Sequence, residues 1–190
     1  IWLLFGFVFF CASAQARPFG LKSEAGVQLL DEARALVFAF RLDEAAAKLD
    51  LLAQREPDSP AAVFHHAQMR LWQALVTEQD AHYDAFYRHY ETLVDRLKAM
   101  PDGPWRTHLL GEAHLLRAIA YVKANDYLKA AWEAKRANDY YFATVRDHPD
   151  FEEAYKGTGL AKVLIGSVPK SYGWVLKILG FSGSVQEGLD

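Results

Sequence analysis

Disulfide chemistry is excluded at the outset, because Cys11 is the only cysteine in 190 residues and one thiol cannot staple a fold. Seven prolines and twelve glycines are too few for a collagenous or low-complexity chain. Charge of one sign is lacking as well: 21 Lys and Arg stand against 24 Asp and Glu, for a net charge of −3 and no basic block. A nucleic-acid partner, which needs a basic stripe to track phosphates, is thereby excluded. No stretch alternates apolar and polar residues with period two, so β-strands are not expected. The length rules out a TIM barrel or an ordinary two-domain enzyme. What remains is substantial: 52% of the residues are hydrophobic and 14% aromatic, enough for one packed domain or an array of small repeats.

The ends carry their own signals. Ile1 to Phe10 is almost wholly apolar but too short to span a bilayer, and Ala14 and Ala16 form the small-x-small pattern of a signal-peptidase site. Residues 1–16 read as the remnant of a secretory signal whose basic n-region is missing, cleaved after Ala16. This predicts an exported protein of the periplasm or cell envelope. Phe10 stands before Cys11 where lipoprotein processing requires a small residue, which argues against a lipid anchor. At the other end Ser184-Val185-Gln186-Glu187 has the form of a capping box, which predicts a helix continuing past residue 190 and a parent protein that is longer. A fragment of this kind is expected to fray after about Leu160.

Between the ends, apolar residues recur at helical spacing almost throughout. Leu29, Ala33, Leu36, Val37 and Phe40 form one stripe, and Ala45, Leu49 and Leu52 the next. Others follow through Val63, Ala67, Leu71 and Ala74, and through Tyr83, Phe86, Tyr87, Tyr90, Val94 and Leu97. Trp105, Leu109, Ala113, Leu116 and Ala120 make a fifth; Tyr127, Ala130, Ala134, Ala137 and Tyr141 a sixth; Phe151, Ala154, Thr158 and Ala161 a seventh. Ser59-Pro60 and Asp102-Gly103-Pro104 read as helix starts, and Asp43 as a cap. The stripes come in pairs closed by Pro57, Pro101 and Pro149, 44 and 48 residues apart, and the turn Phe40-Arg41-Leu42-Asp43-Glu44-Ala45 is echoed at Ala124-Asn125-Asp126-Tyr127-Leu128-Lys129-Ala130. Residues 17–190 are therefore expected to be all-α, a helical array with a long repeat.

Arg41-Leu42-Asp43-Glu44-Ala45, the helix after it and Glu56-Pro57-Asp58-Ser59-Pro60-Ala61-Ala62 resemble the second half of a tetratricopeptide repeat and the opening of the next. Ala45 or Ala46 matches that family's small residue at the helix contact, and Pro57 its closing proline. The period exceeds the usual 34, and the first-helix Trp, Leu-Gly and Tyr positions are not reproduced. The resemblance implies about four helix pairs in a right-handed solenoid. Gly157, Gly159, Pro169, Gly180, Phe181, Gly183 and Gly188 lie in a pass that resembles the tetratricopeptide repeat 39 family, relatives of the yeast inclusion-body-clearance protein. From the residues themselves, Pro169 ends one helix and Gly180 with Phe181 and Gly183 suits a C-terminal cap, a packing device.

Catalytic look-alikes are incomplete. Gly157-Thr158-Gly159-Leu160-Ala161-Lys162 lacks the third glycine and a preceding strand of a dinucleotide loop. Ser167-Val168-Pro169-Lys170 has no Ser-Asp-Asn or Lys-Thr-Gly companion. Gly180-Phe181-Ser182-Gly183 is one residue short of a nucleophile elbow. His82 with His89, and His108 with Glu112, share helix faces without forming a known metal motif, so no metal and no cofactor are expected. The expected function is a non-enzymatic scaffold that binds a protein or peptide partner on a concave face. Tyr83, Tyr87, Arg88, Asn125, Arg136 and Asn138 are its candidate contacts, and Arg96 could join them. The alternative is lipid or apolar-ligand binding through the segment from Tyr172 to Phe181, with membrane contact; a catalytic domain beyond residue 190 is a third reading.

Overall fold

The computed structural model describes residues 17–166, and every regular element among them is helical. The chain is all-α there, as the periodicity predicts. Residues 1–16, the motif residues Pro169, Gly180, Phe181 and Gly183, and the apolar segment 172–181 lie outside the described residues.

A short turn at Pro18–Gly20 precedes seven helices: α1 (Glu24–Phe38), α2 (Leu42–Arg55), α3 (Ala61–Thr77), α4 (Asp80–Ala99), α5 (Pro104–Lys123), α6 (Tyr127–Asp147) and α7 (Glu152–Gly166). The tightest packing is within α1/α2, α3/α4 and α5/α6, so Pro57, Pro101 and Pro149 all fall in the loops between pairs. The described residues hold three pairs and a seventh helix. The odd-numbered helices also touch in succession, α1 to α3, α3 to α5 and α5 to α7.

The echoed turns have one geometry. In α1–α2 the Phe40 and Arg41 N–H groups donate to the Val37 and Leu36 carbonyls; in α5–α6 Asn125 and Asp126 donate to Val122 and Tyr121. Phe40 and Asn125 are left-handed, at φ 57° and 58°, the position a helix end of this kind requires. Asn suits that conformation and Phe does not, which is why the echo is imperfect in sequence while exact in hydrogen bonding. Asp43, expected as a cap, instead lies in the first turn of α2; Arg41 holds the capping position and pairs with Glu44.

Each stripe meets a neighbour. Leu30 and Ala33, Leu49 and Leu52, Phe64, Ala67 and Leu71, Phe86, Tyr90, Leu93 and Leu97, and Leu109, Ala113, Leu116 and Ala120 form one continuous buried cluster through α1 to α5. Alanine recurs in that core, with Ala33, Ala67, Ala113 and Ala120 all buried. Tyr141, fully buried on α6, fills the space beside Gly111 of α5 and Gly157 of α7, where an added Cβ would stand 2.9 and 2.7 Å from its ring.

Candidate binding groove

Because α1, α3, α5 and α7 are successive neighbours, their shared face forms a groove of about 370 Å³. Arg34 comes from α1, Phe64, His65 and Gln68 from α3, Trp105, His108 and Glu112 from α5, and Glu153, Lys156 and Gly157 from α7. The N-terminal segment closes one end with Pro18 and Phe19.

That segment is held by polar contacts rather than by helix. Ser23 caps α1, its Oγ accepting from the Gly26 N–H at 3.0 Å, while its own O–H donates to Glu56 Oε1 at 2.5 Å. The Lys22 and Ser23 N–H groups donate to the same carboxylate at 3.1 and 2.9 Å. Ser59, at the expected helix start, accepts from the Ala61 N–H and donates to the Phe19 carbonyl at 3.0 Å. Phe19 is left-handed at φ 55°, as is Gly20 after it, and its ring turns into the groove. It stacks on Trp105 at 5.0 Å and packs against Phe64 at 5.5 Å and His65 at 5.1 Å. Trp105 in turn meets Phe151 edge-on at 4.9 Å. An aromatic row therefore joins α3, the N-terminal segment, α5 and the start of α7.

The electrostatics follow from burial. Desolvation pushes His65 and His108 down to about 4, with Arg34 adding to the effect at His65, so both rings are neutral at pH 7. His65 Nδ1 lies 3.1 Å from Gln68 Oε1, while His65 Nε2 and His108 Nδ1 are buried without a partner. Burial raises the Glu112 carboxyl, against the hydrogen bond it accepts from the Tyr141 hydroxyl at 2.7 Å.

The six residues proposed as partner contacts lie elsewhere, on α4, α6 and the α5–α6 turn. Arg136 lines a second, more open cleft of about 450 Å³ between α5 and α6, with Tyr121, Lys129, Trp132 and Glu133, and Tyr87 lies next to Tyr121, their ring centres 6.3 Å apart. Its centre is Glu133, which accepts from His114 and Arg117 at 2.7 Å each and from Arg136 at 3.2 Å. Burial raises that carboxyl, but the bonds from Arg117 and His114 outweigh it and hold the group below its usual range. Tyr83 is half-buried with a hydroxyl that has no partner. Arg88 is exposed on α4, and Arg96 donates to the Pro57 carbonyl. Asn125 is exposed in its turn and accepts from the Tyr127 hydroxyl, and Asn138 is half-buried on α6. The structure brings Tyr87 and Arg136 toward one cleft and leaves Arg88, Asn125 and Asn138 apart from the odd-helix groove.

The residues of that groove were only partly flagged by sequence. His108 with Glu112 shows as a four-residue spacing, but their ring nitrogen and carboxylate are 3.9 Å apart, beyond a hydrogen bond. His82 and His89 are engaged locally, with Thr77 at 2.6 Å and the Ala85 carbonyl at 2.9 Å. Among the described residues no three His, Cys, Asp or Glu side chains group as a metal site would require, and no helix is long and apolar enough to cross a membrane.

No family model, no curated protein and no solved structure matches the chain. The functional reading therefore rests on the residues themselves.

Proposed function

We propose that this chain is a non-enzymatic binding scaffold of tetratricopeptide-like build, holding an extended segment of a protein or peptide partner in the groove shared by α1, α3, α5 and α7. The observation that carries the reading is what already sits at one end of the groove: the Pro18–Gly20 turn, with a backbone carbonyl bonded to Ser59 and an aromatic side chain seated between Phe64 and Trp105. A surface that takes an aromatic side chain and a backbone carbonyl of its own chain in this manner has the mixed apolar and polar lining that bound peptides use. Helical arrays expose such faces as a consequence of their geometry. The signal-like pattern of residues 1–16 adds the proposal that the partner is met in the periplasm or cell envelope.

The test is a peptide array probed with the purified protein and two variants. Gln68→Trp fills the groove from a half-buried position outside the core, and is expected to abolish capture. Arg88→Ala with Arg136→Ala removes charges on the even helices, and is expected to leave capture intact. The reverse pattern would move the binding surface to α4 and α6.

A further inference from the structure

The cations of the groove are balanced and one of its acids is not. Arg34 stands 3.9 Å from Asp31, and Lys156 lies 3.0 Å from Glu153. Glu112 pairs with no Lys or Arg among the described residues: its contacts are the Tyr141 hydroxyl at 2.7 Å and the neutral His108 ring at 3.9 Å. The charge that acts on it is a second carboxylate, Glu153, which disfavours its ionised form. The Glu112 side chain is 24% exposed, neither sealed nor fully solvated, so it faces the open groove while missing much of water's stabilisation. Beside it, His65 and His108 are more than nine-tenths buried and each retains a ring nitrogen without a partner. With His65 Nδ1 donating to Gln68, its Nε2 is a lone pair, an unused acceptor. The unmet demand of the groove is thus for hydrogen-bond donors and positive charge.

We infer that the groove recognises a cationic side chain, an ammonium or guanidinium group, which pairs with Glu112. Such a group would supply the charged donors that Glu112 lacks, in a partly desolvated setting where a charge-assisted bond is strong. The neutral histidines add no repulsion. The inference rests on the groove being the binding surface, and it deepens that reading by naming what the bound segment carries.

The same chemistry is offered by a basic residue in a peptide or by a free amine, and three probes separate the cases. They are an acetylated, amidated alanine-rich nonamer with one central arginine, its citrulline counterpart, and agmatine, each titrated into the full chain with the His65 and His108 ring signals followed by NMR. The arginine peptide is expected to bind more tightly than the citrulline peptide by about tenfold or more. Glu112→Gln, which keeps an acceptor for Tyr141, is expected to erase that ratio while leaving the helical circular dichroism unchanged. Equal binding of the arginine and citrulline peptides would overturn the cation inference and leave the peptide groove standing. Agmatine binding as tightly as the arginine peptide would support the cation site and overturn the extended-peptide reading. Failure of all three to bind would overturn both.

Discussion

Glu56 concentrates more structure than any other charged side chain of the N-terminal half. It is 6% exposed and accepts three hydrogen bonds from Lys22 and Ser23, so from the C-terminal end of α2 it ties down the start of α1 and fixes the segment that enters the groove. Gly26 is required opposite it, since an added Cβ would stand 2.9 Å from Glu56 Oε1. The Ser23 hydroxyl bond, followed by the two backbone N–H groups and the Lys22 charge, outweighs burial and holds the carboxyl below its usual 4.5. A folded-state value below the unfolded one means that the stabilisation is complete above about pH 4.5 and is lost as pH falls through the folded value. Glu56→Gln is therefore expected to cost about 2 kcal/mol at pH 7, the order of a charge-assisted hydrogen bond. The gap between wild type and variant in urea denaturation should close as the pH is lowered from 5 to 3. A gap that stays constant over that range would show that the charge of Glu56 contributes nothing.

At the scale of elements, helix pairs are locked by side chains for which one partner must be small. A glycine inside a helix is ordinarily improved by alanine, by about 0.5–1 kcal/mol. In α5 the sign reverses, because a methyl at Gly111 would meet both the Tyr141 ring at 2.9 Å and the Ala137 carbonyl at 3.2 Å. Tyr141 is fully buried and bonded to Glu112, so it has nowhere to retreat. Gly111→Ala is expected to lower stability by about 1–3 kcal/mol, an overpacking penalty read from thermal unfolding; an increase would show that α5 and α6 separate without cost. The apolar stripes were legible because burial on a helix follows its 3.6-residue period, as Ala45, Leu49 and Leu52 demonstrate. The pairing was legible because proline cannot continue a helix, and Pro57, Pro101 and Pro149 mark each boundary. The groove was not, since it is made by α1, α3, α5 and α7 lying side by side, and no local pattern encodes which non-consecutive helices touch. Phe19 belongs to no stripe at all; its burial comes from Phe64 and Trp105, 45 and 86 residues away.

Across the whole molecule, stacked helix pairs normally communicate only with their neighbours, so stability is a sum of local terms and the ends open first. The aromatic row changes that arithmetic here. Phe64, Phe19, Trp105 and Phe151 run in contact from α3 through the N-terminal segment to α5 and the start of α7, so that a residue ahead of α1 bears on the other end of the described chain. If the row transmits stability, removing its middle member must be felt at both ends. Phe19→Ala deletes a ring that is 8% exposed and is expected to cost about 3 kcal/mol overall. Amide exchange separates a local loss from a transmitted one. The backbone N–H of Ala154, which donates to the Phe151 carbonyl at 3.1 Å, should exchange faster in the variant, together with the first turn of α3 and ahead of the α2 amides. Acceleration confined to α1 and α3 would show that the row is a set of separate contacts, and that α7 is held by α5 and α6 without help from Phe19.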